Sequence, residues 1–273
     1  MLDHILRTAL FVPASRPERI PKALACQADR VIVDLEDAIQ ADAKAAARQH
    51  IASFAANYPA SQILVRVNDA TTPWFEEDLA LCRTLPSIIG IVLPKAETGQ
   101  QIQHAAATGK RVMPIIESAR GADNLAEICH EKGVSRIAFG NLDFSLDLGL
   151  DTGSSGAAIV LNHVRCQLVL QSRLAGIAAP LYGVWPDIKD ETGLIHTAQL
   201  AKGMGFSGLL CIHPLQVVTV NAVFSATAKE IEWAERVLKI VQETGTAVFK
   251  LDGEMVDMPV IERARRIVQQ RQP

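Results

Sequence analysis

Arg111-Val112-Met113-Pro114-Ile115-Ile116-Glu117-Ser118 opens on a cation, crosses five apolar residues and closes on an acid and a hydroxyl. A run with no polar alternation is a strand buried on both faces, as in a parallel sheet covered by helices. Eight such runs recur, at 9–13, 30–33, 63–67, 88–93, 111–116, 136–139, 181–184 and 208–212. Segments of helical period lie between them, at 19–26, 43–57, 74–85, 100–107, 124–131, 157–175 and 194–202. Eight alternating units predict an α/β chain folded as a TIM (β/α)8 barrel. A doubly wound open sheet is the runner-up, disfavoured because no G-x-G-x-x-G follows an early strand.

The strand ends are more informative than the strands. Almost every apolar run finishes in a polar cluster: Ser15-Arg16, Asp34-Leu35-Glu36-Asp37, Arg66-Val67-Asn68-Asp69, Lys95, Glu117-Ser118, Asn141 with Asp143, Trp185-Pro186-Asp187, and His213-Pro214. In a barrel these ends converge on the face where barrel enzymes keep their chemistry. Beyond the last strand, 215–244 reads as one long helix with Gly245 as its C-cap. The remainder carries Asp252-Gly253-Glu254-Met255-Val256-Asp257-Met258-Pro259 and then an apolar stripe of Val260, Ile261, Ala264, Ile267 and Val268. The expected organisation is therefore a barrel over 1–244 and a C-terminal helical lid or oligomerisation segment over 245–273.

Composition narrows the function classes. The 273 residues carry a net charge of −3, are 49% hydrophobic and 21% charged, and contain 27 Lys and Arg against 30 Asp and Glu. That excludes coiled-coil, collagen-like and disordered chains, and gives no global field for nucleic acid or an anionic membrane. Five cysteines without a CxxC pair predict neither a disulfide framework nor a zinc site, and read as small core residues of a reduced protein. Asp3, His4 and Arg7 interrupt the start of the chain, and no window approaches the ~18 apolar residues of a spanning helix, so the expected location is cytoplasmic.

Glu117 and Asp143 close neighbouring strands, so their carboxylates can converge. Two carboxylates with waters and substrate oxygens are a usual way to hold Mg2+; the competing reading is that they pair with barrel Arg or Lys. Arg66 is a guanidinium at an apolar strand end that could take a carboxylate or enolate oxygen bidentately. Its competing reading is pairing with Glu36 or Asp37, and the two are compatible if those acids orient it. His213 before a proline is read as a loop cap rather than a base. Lys95 invites a Schiff-base role, but the acids around it would raise its pKa where that chemistry needs it lowered. Arg16 and Arg19 flank the start of the first helix, where phosphate can be received.

Taken together, 10–19 (LFVPASRPER), 31–39 (VIVDLEDAI), 65–68 (VRVN), 90–97 (GIVLPKAE), 115–121 (IIESARG), 137–144 (IAFGNLDF), 183–187 (GVWPD), 205–216 (GFSGLLCIHPLQ) and 252–259 (DGEMVDMP) make the chain resemble the HpcH/HpaI aldolase and citrate lyase β-subunit superfamily. Within it the chain looks like the acyl-CoA lyases of the citrate-lyase-β-like branch. The resemblance implies a (β/α)8 barrel, Mg2+ held by Glu117 and Asp143, Arg66 on the oxyacid, and CoA phosphates near Arg16 and Arg19. Glu36, Asp37 and Pro186 join Arg66 as candidate substrate contacts. It further implies that Asp257 lies in a lid that reaches the active site of an adjacent subunit, and hence a homo-oligomer, a trimer or hexamer. The expected reaction is cleavage of a 3-hydroxyacyl-CoA thioester, foremost (S)-citramalyl-CoA to acetyl-CoA and pyruvate, with malyl-CoA a further candidate. The alternatives are a citrate lyase β-subunit acting on citryl-acyl-carrier-protein and a CoA-independent 2-oxo-acid aldolase.

Overall fold

A computed structural model describes residues 6–269. Asp3 and His4, on which the expectation about the chain's start rests, lie outside them. Eight strands, β1 (Thr8–Pro13), β2 (Arg30–Asp34), β3 (Ile63–Arg66), β4 (Ile88–Leu93), β5 (Arg111–Ile116), β6 (Ala138–Phe139), β7 (Leu181–Tyr182) and β8 (Gly208–Cys211), pair in chain order and close through β1 with β8. All eight pairings are parallel. The barrel expected from the apolar runs is the observed fold.

The crossovers are helical: α1 (Ile20–Leu24), α2 (Lys44–Asn57), α3 (Phe75–Thr84), α4 (Gly99–Ala106), α5 (Ala119–Asp123), α6 (Leu125–His130), α7 (Asn141–Asp147), α8 (Ser155–Leu174) and α9 (Glu191–Met204), with α10 (Pro214–Phe224) after β8. Local chemistry sets several starts. Thr98 and Gln101 form a capping box on α4, and the Ser154 hydroxyl accepts the Ala157 N–H to begin α8. The main core lies between sheet and helices, with Ile51, Leu79, Ile102, Ile128 and Leu168 turned onto the strands. A second, smaller core fills the barrel with Ala9, Ile32, Val92, Met113, Ile115, Ala138, Leu181 and Leu210. Because side chains alternate along a strand, the inward positions two residues beyond Ile32, Leu64 and Ile115 are Asp34, Arg66 and Glu117.

The C-terminal region departs from expectation in one respect. The helix expected over 215–244 is two helices, broken at Ser225–Thr227, because Thr227 and Glu230 form a capping box that starts α11 (Ala228–Thr244). By compactness the chain divides into Met1–Phe224 and Ser225–Pro273, so α11 belongs to the C-terminal unit and the boundary falls a helix earlier than 244/245. Gly245 caps α11 in the left-handed conformation as read. A hairpin comes next, β9 (Phe249–Leu251) and β10 (Glu254–Val256), turned by Asp252 and Gly253, both at positive φ. Helix α12 (Met258–Gln269) then packs its Ile261, Ala264 and Ile267 stripe with Ala234 and Val237 of α11.

The cysteines are all free, but only Cys82, Cys129 and Cys211 are buried; Cys26 is half-buried and Cys166 exposed on α8, which corrects the reading of all five as core residues. No helix among the described residues is long and apolar enough to cross a membrane.

Candidate active site

β2 and β3 pair so that Asp34 and Arg66 are direct neighbours in register. The Arg66 guanidinium therefore meets the Asp34 carboxylate bidentately, with Nε 2.7 Å from Oδ1 and Nη2 2.7 Å from Oδ2. Its Nη1 lies 3.0 Å from Glu36 Oε2 and 3.5 Å from Asp37 Oδ2, and the group sits 4.8 Å over the Phe11 ring. Burial would lower the Arg66 pKa, but the hydrogen bonds and charge of Asp34 outweigh it and hold the cation firmly protonated. Arg66 thus pairs with Glu36 and Asp37 as the competing reading expected, but its bidentate partner is Asp34, which that reading did not name. Asp34 is in turn fixed by the N–H groups of Glu36 and Ala38.

Lys95 links this cluster to the next strand. It leaves β4 at φ +46°, a left-handed conformation that costs a non-glycine residue on the order of 1 kcal/mol. In that conformation its N–H donates to Glu117 Oε1 at 2.7 Å while its Nζ donates to Glu36 Oε1 at 2.8 Å. Burial pulls the ammonium pKa down, but Glu36 more than reverses this and leaves it raised, as the sequence argument against a Schiff base required. Below it, buried Lys44 donates to the carbonyls of Leu35 and Glu36 at 2.7 Å each and pins the loop that carries both acids.

Glu117 is buried; desolvation pushes its carboxyl up to about 8, with Glu36 and Asp143 adding repulsion that the Lys95 N–H only partly offsets. Asp143, exposed in the first turn of α7, lines the same cleft as Glu117 and Arg66 together with Phe11, Gly140 and Gly183. Gly140 makes the approach possible: a Cβ there would stand 2.3 Å from Glu117 Oε2 and 2.5 Å from its Cβ. Among the described residues neither Glu117 Oε2 nor Asp143 takes a protein donor, which argues against the salt-bridge reading of this pair. Two carboxylates, one buried and raised by desolvation and repulsion and both without a protein cation, suit a hard divalent ion.

Arg16, Arg19 and Pro186 are not among the residues that line this cleft. Arg16 and Arg19 are exposed on the loop after β1, and Pro186 is exposed after β7. His213 Nδ1 accepts the Leu215 N–H, the loop-capping role read for it. Asp257 belongs to the C-terminal unit, where its Oδ1 accepts the Val260 N–H and caps α12. Three residues gain roles that their place in the sequence did not assign. Asp34 had a signal, since it stands two residues after inward Ile32 and opposite Arg66; the bridging by Lys95 and the clearance at Gly140 had none.

The model of the HpcH/HpaI aldolase/citrate lyase family matches residues 7–214. The chain belongs to this family. Among HpcH/HpaI relatives, a citrate lyase subunit beta-like protein of Deinococcus radiodurans is 33% identical over 97% of this chain and 96% of its own. Human mitochondrial citramalyl-CoA lyase is 29% identical, covering 96% of this chain and 84% of its own. A crystal structure of CitE from Mycobacterium tuberculosis in complex with magnesium, acetoacetate and coenzyme A superposes with a TM-score of 0.84 at 32% identity, over 97% of this chain and 98% of that one. As a member of the HpcH/HpaI family the chain is a carbon–carbon lyase.

Proposed function

We propose that this chain is a Mg2+-dependent lyase that cleaves (S)-citramalyl-CoA to acetyl-CoA and pyruvate, with malyl-CoA as a second substrate. The observation that carries the reading is that Arg66, locked by Asp34, opens onto the same cleft as the uncompensated pair Glu117 and Asp143. Those two carboxylates would hold Mg2+, which when bound polarises the oxygen that becomes the 2-oxo group. The substrate hydroxyl gives its proton to solvent water, the bond from the acetyl carbon to the carbinol carbon breaks, and its electron pair moves into the thioester as an enolate. Arg66 stabilises that developing charge; a single well-placed donor of this kind is commonly worth about 3 kcal/mol. Asp34 and Glu36 keep the guanidinium from swinging out of register. Phe11, Phe139 and Val184 keep the reacting end dry.

The enolate carbon must then gain a proton. Asp257, supplied by the lid of a neighbouring subunit in a trimer or hexamer, is assigned that exchange. Arg16 and Arg19 are assigned to the CoA phosphates, and Glu36, Asp37 and Pro186 to the substrate's approach. The test is turnover of citramalyl-, malyl-, methylmalyl- and citryl-thioesters by the purified chain with Mg2+ and with EDTA. Citramalyl-CoA cleavage abolished by EDTA is the expected result. Activity confined to citryl-acyl-carrier-protein, or to free hydroxy-oxo acids without CoA, replaces the proposal with the corresponding alternative.

A further inference from the structure

In the cleft that Arg66, Glu117 and Asp143 share, every other lining residue is apolar or glycine except Asn141. It opens α7 directly after the two-residue strand β6, and its main-chain carbonyl accepts the Ser145 hydroxyl at 2.7 Å. Its side-chain amide has no comparable partner. Oδ1 is shut off from solvent without a donor, and Nδ2 has no acceptor among the described residues. The amide nonetheless has a built seat, because it occupies the space that a side chain on Gly183 would fill. A Cβ at Gly183 would stand 1.7 Å from Oδ1, 2.8 Å from Cγ and 2.6 Å from the Phe139 carbonyl oxygen.

An unpaired amide costs stability where water cannot serve it freely, and folded proteins keep few of them. The neighbour of Oδ1 across the Gly183 gap is a second acceptor, so the surrounding residues offer that oxygen nothing. With Oδ1 packed away there, Nδ2 is the amide atom left for a ligand, and it can only donate. The chemistry of the cleft asks for such a donor. A 3-hydroxyacyl thioester brings two anionic groups to it: the developing enolate oxygen and the carboxylate on the carbinol carbon. Arg66 and Asn141 are the side-chain donors in the lining. Arg66 already gives Nε and Nη2 to Asp34 and Nη1 to Glu36 and Asp37, which leaves little of its fork for a second anion.

We infer that Asn141 binds the substrate's carboxylate, with Nδ2 donating to a carboxylate oxygen while Arg66 serves the enolate. The assignment rests on the lyase reading for its ligand and adds to it the residue that anchors the 2-oxo-acid half. Substrate and 2-oxo product carry the same carboxylate, so Asn141 should hold both. The acetyl-CoA half lacks that group and should be indifferent to a change at Asn141.

The test uses the full chain loaded with Mg2+, with pyruvate and acetyl-CoA titrated separately by calorimetry. Asn141→Leu keeps the volume and removes the donor, while Asn141→Ala removes the amide without adding apolar bulk. Both should weaken pyruvate binding by about 10- to 100-fold, the loss expected for one hydrogen bond to a charged group, with acetyl-CoA and Mg2+ binding within about twofold of the parent. On heating, Asn141→Leu should unfold no sooner than the parent, since it removes an unpaired acceptor. No pyruvate binding by the parent, unchanged pyruvate binding in both variants, or a matching loss for acetyl-CoA or Mg2+ overturns the assignment. Turnover of citramalyl-CoA and the other thioesters is read alongside. Pyruvate binding that depends on Asn141 in a chain that cleaves none of them keeps the carboxylate site and removes the lyase reading, whereas turnover with pyruvate binding unaltered in the variants removes only Asn141.

Discussion

The two mouths of this barrel are built from the same eight strands and carry opposite chemistry. At the C-terminal ends, Asp34, Glu36, Asp37, Glu117 and Asp143 surround Arg66 and Lys95; at the N-terminal ends Arg30, Arg111 and Arg136 share one cavity with Leu6, Leu64 and Met113. The upper mouth commits its cations to its own acids and leaves a carboxylate pair over. The lower mouth brings three arginine side chains to one cavity. A net charge of −3 hides both, so where charges fall on the inward row, and not their sum, sets the character of each mouth.

The comparison can be broken at four points. The largest effect is expected at Asp257, which would complete the upper mouth from a neighbouring subunit. Asp257→Asn keeps a good N-cap on α12, so thermal stability should hold while turnover falls by about 10²–10⁴-fold; an unchanged rate removes Asp257 from the reaction. Next, Asp34→Ala leaves a buried guanidinium without its bidentate partner and should cost about 3–5 kcal/mol in denaturant unfolding, whereas Arg111→Gln at the exposed lower rim should stay within about 0.5 kcal/mol.

A smaller effect is expected at Gly140. A methyl group there collides with Glu117, so Gly140→Ala should weaken Mg2+ binding by about 10- to 100-fold, the 1–3 kcal/mol usual for overpacking, with the far-UV spectrum unchanged. The smallest is a proton count. Glu117 titrates near 8 in the folded protein, well above the ~4.3 of a free glutamate. The folded state therefore binds the extra proton between those values, and the metal-free protein loses stability as pH rises through that window. Mg2+ binding at pH 7 should release close to one proton, read by calorimetry in buffers of different ionisation enthalpy, and Glu117→Gln should abolish the release.

Much of this was legible beforehand, for identifiable reasons. Unbroken apolar runs located all eight strands to within about two residues because a doubly covered strand tolerates no polar position. Glu117 and Arg66 were found because each interrupts such a run at its end. Helix α7 was missed because Asn141–Asp147 spans two turns only and comes directly after a two-residue strand. The break at Ser225–Thr227 was written in Thr227-Ala228-Lys229-Glu230, a capping-box spacing overridden by the apolar period on either side. The bridging by Lys95 could not be read at all, since no pattern announces a left-handed lysine.

The closed order of parallel strands also sets a direction. Each crossover leaves the upper mouth and returns to the lower one, so where a single helix makes the crossing, as α2, α3, α4 and α9 do, its partially positive end faces the mouth with the carboxylates and its partially negative end the mouth with the arginines. The backbone thus supplies an axial field that opposes both charge clusters and lets each accumulate. On the proposed function it also sets an order of arrival: an anionic thioester would meet repulsion from Asp143 until a dication is held at that carboxylate, so substrate should follow metal.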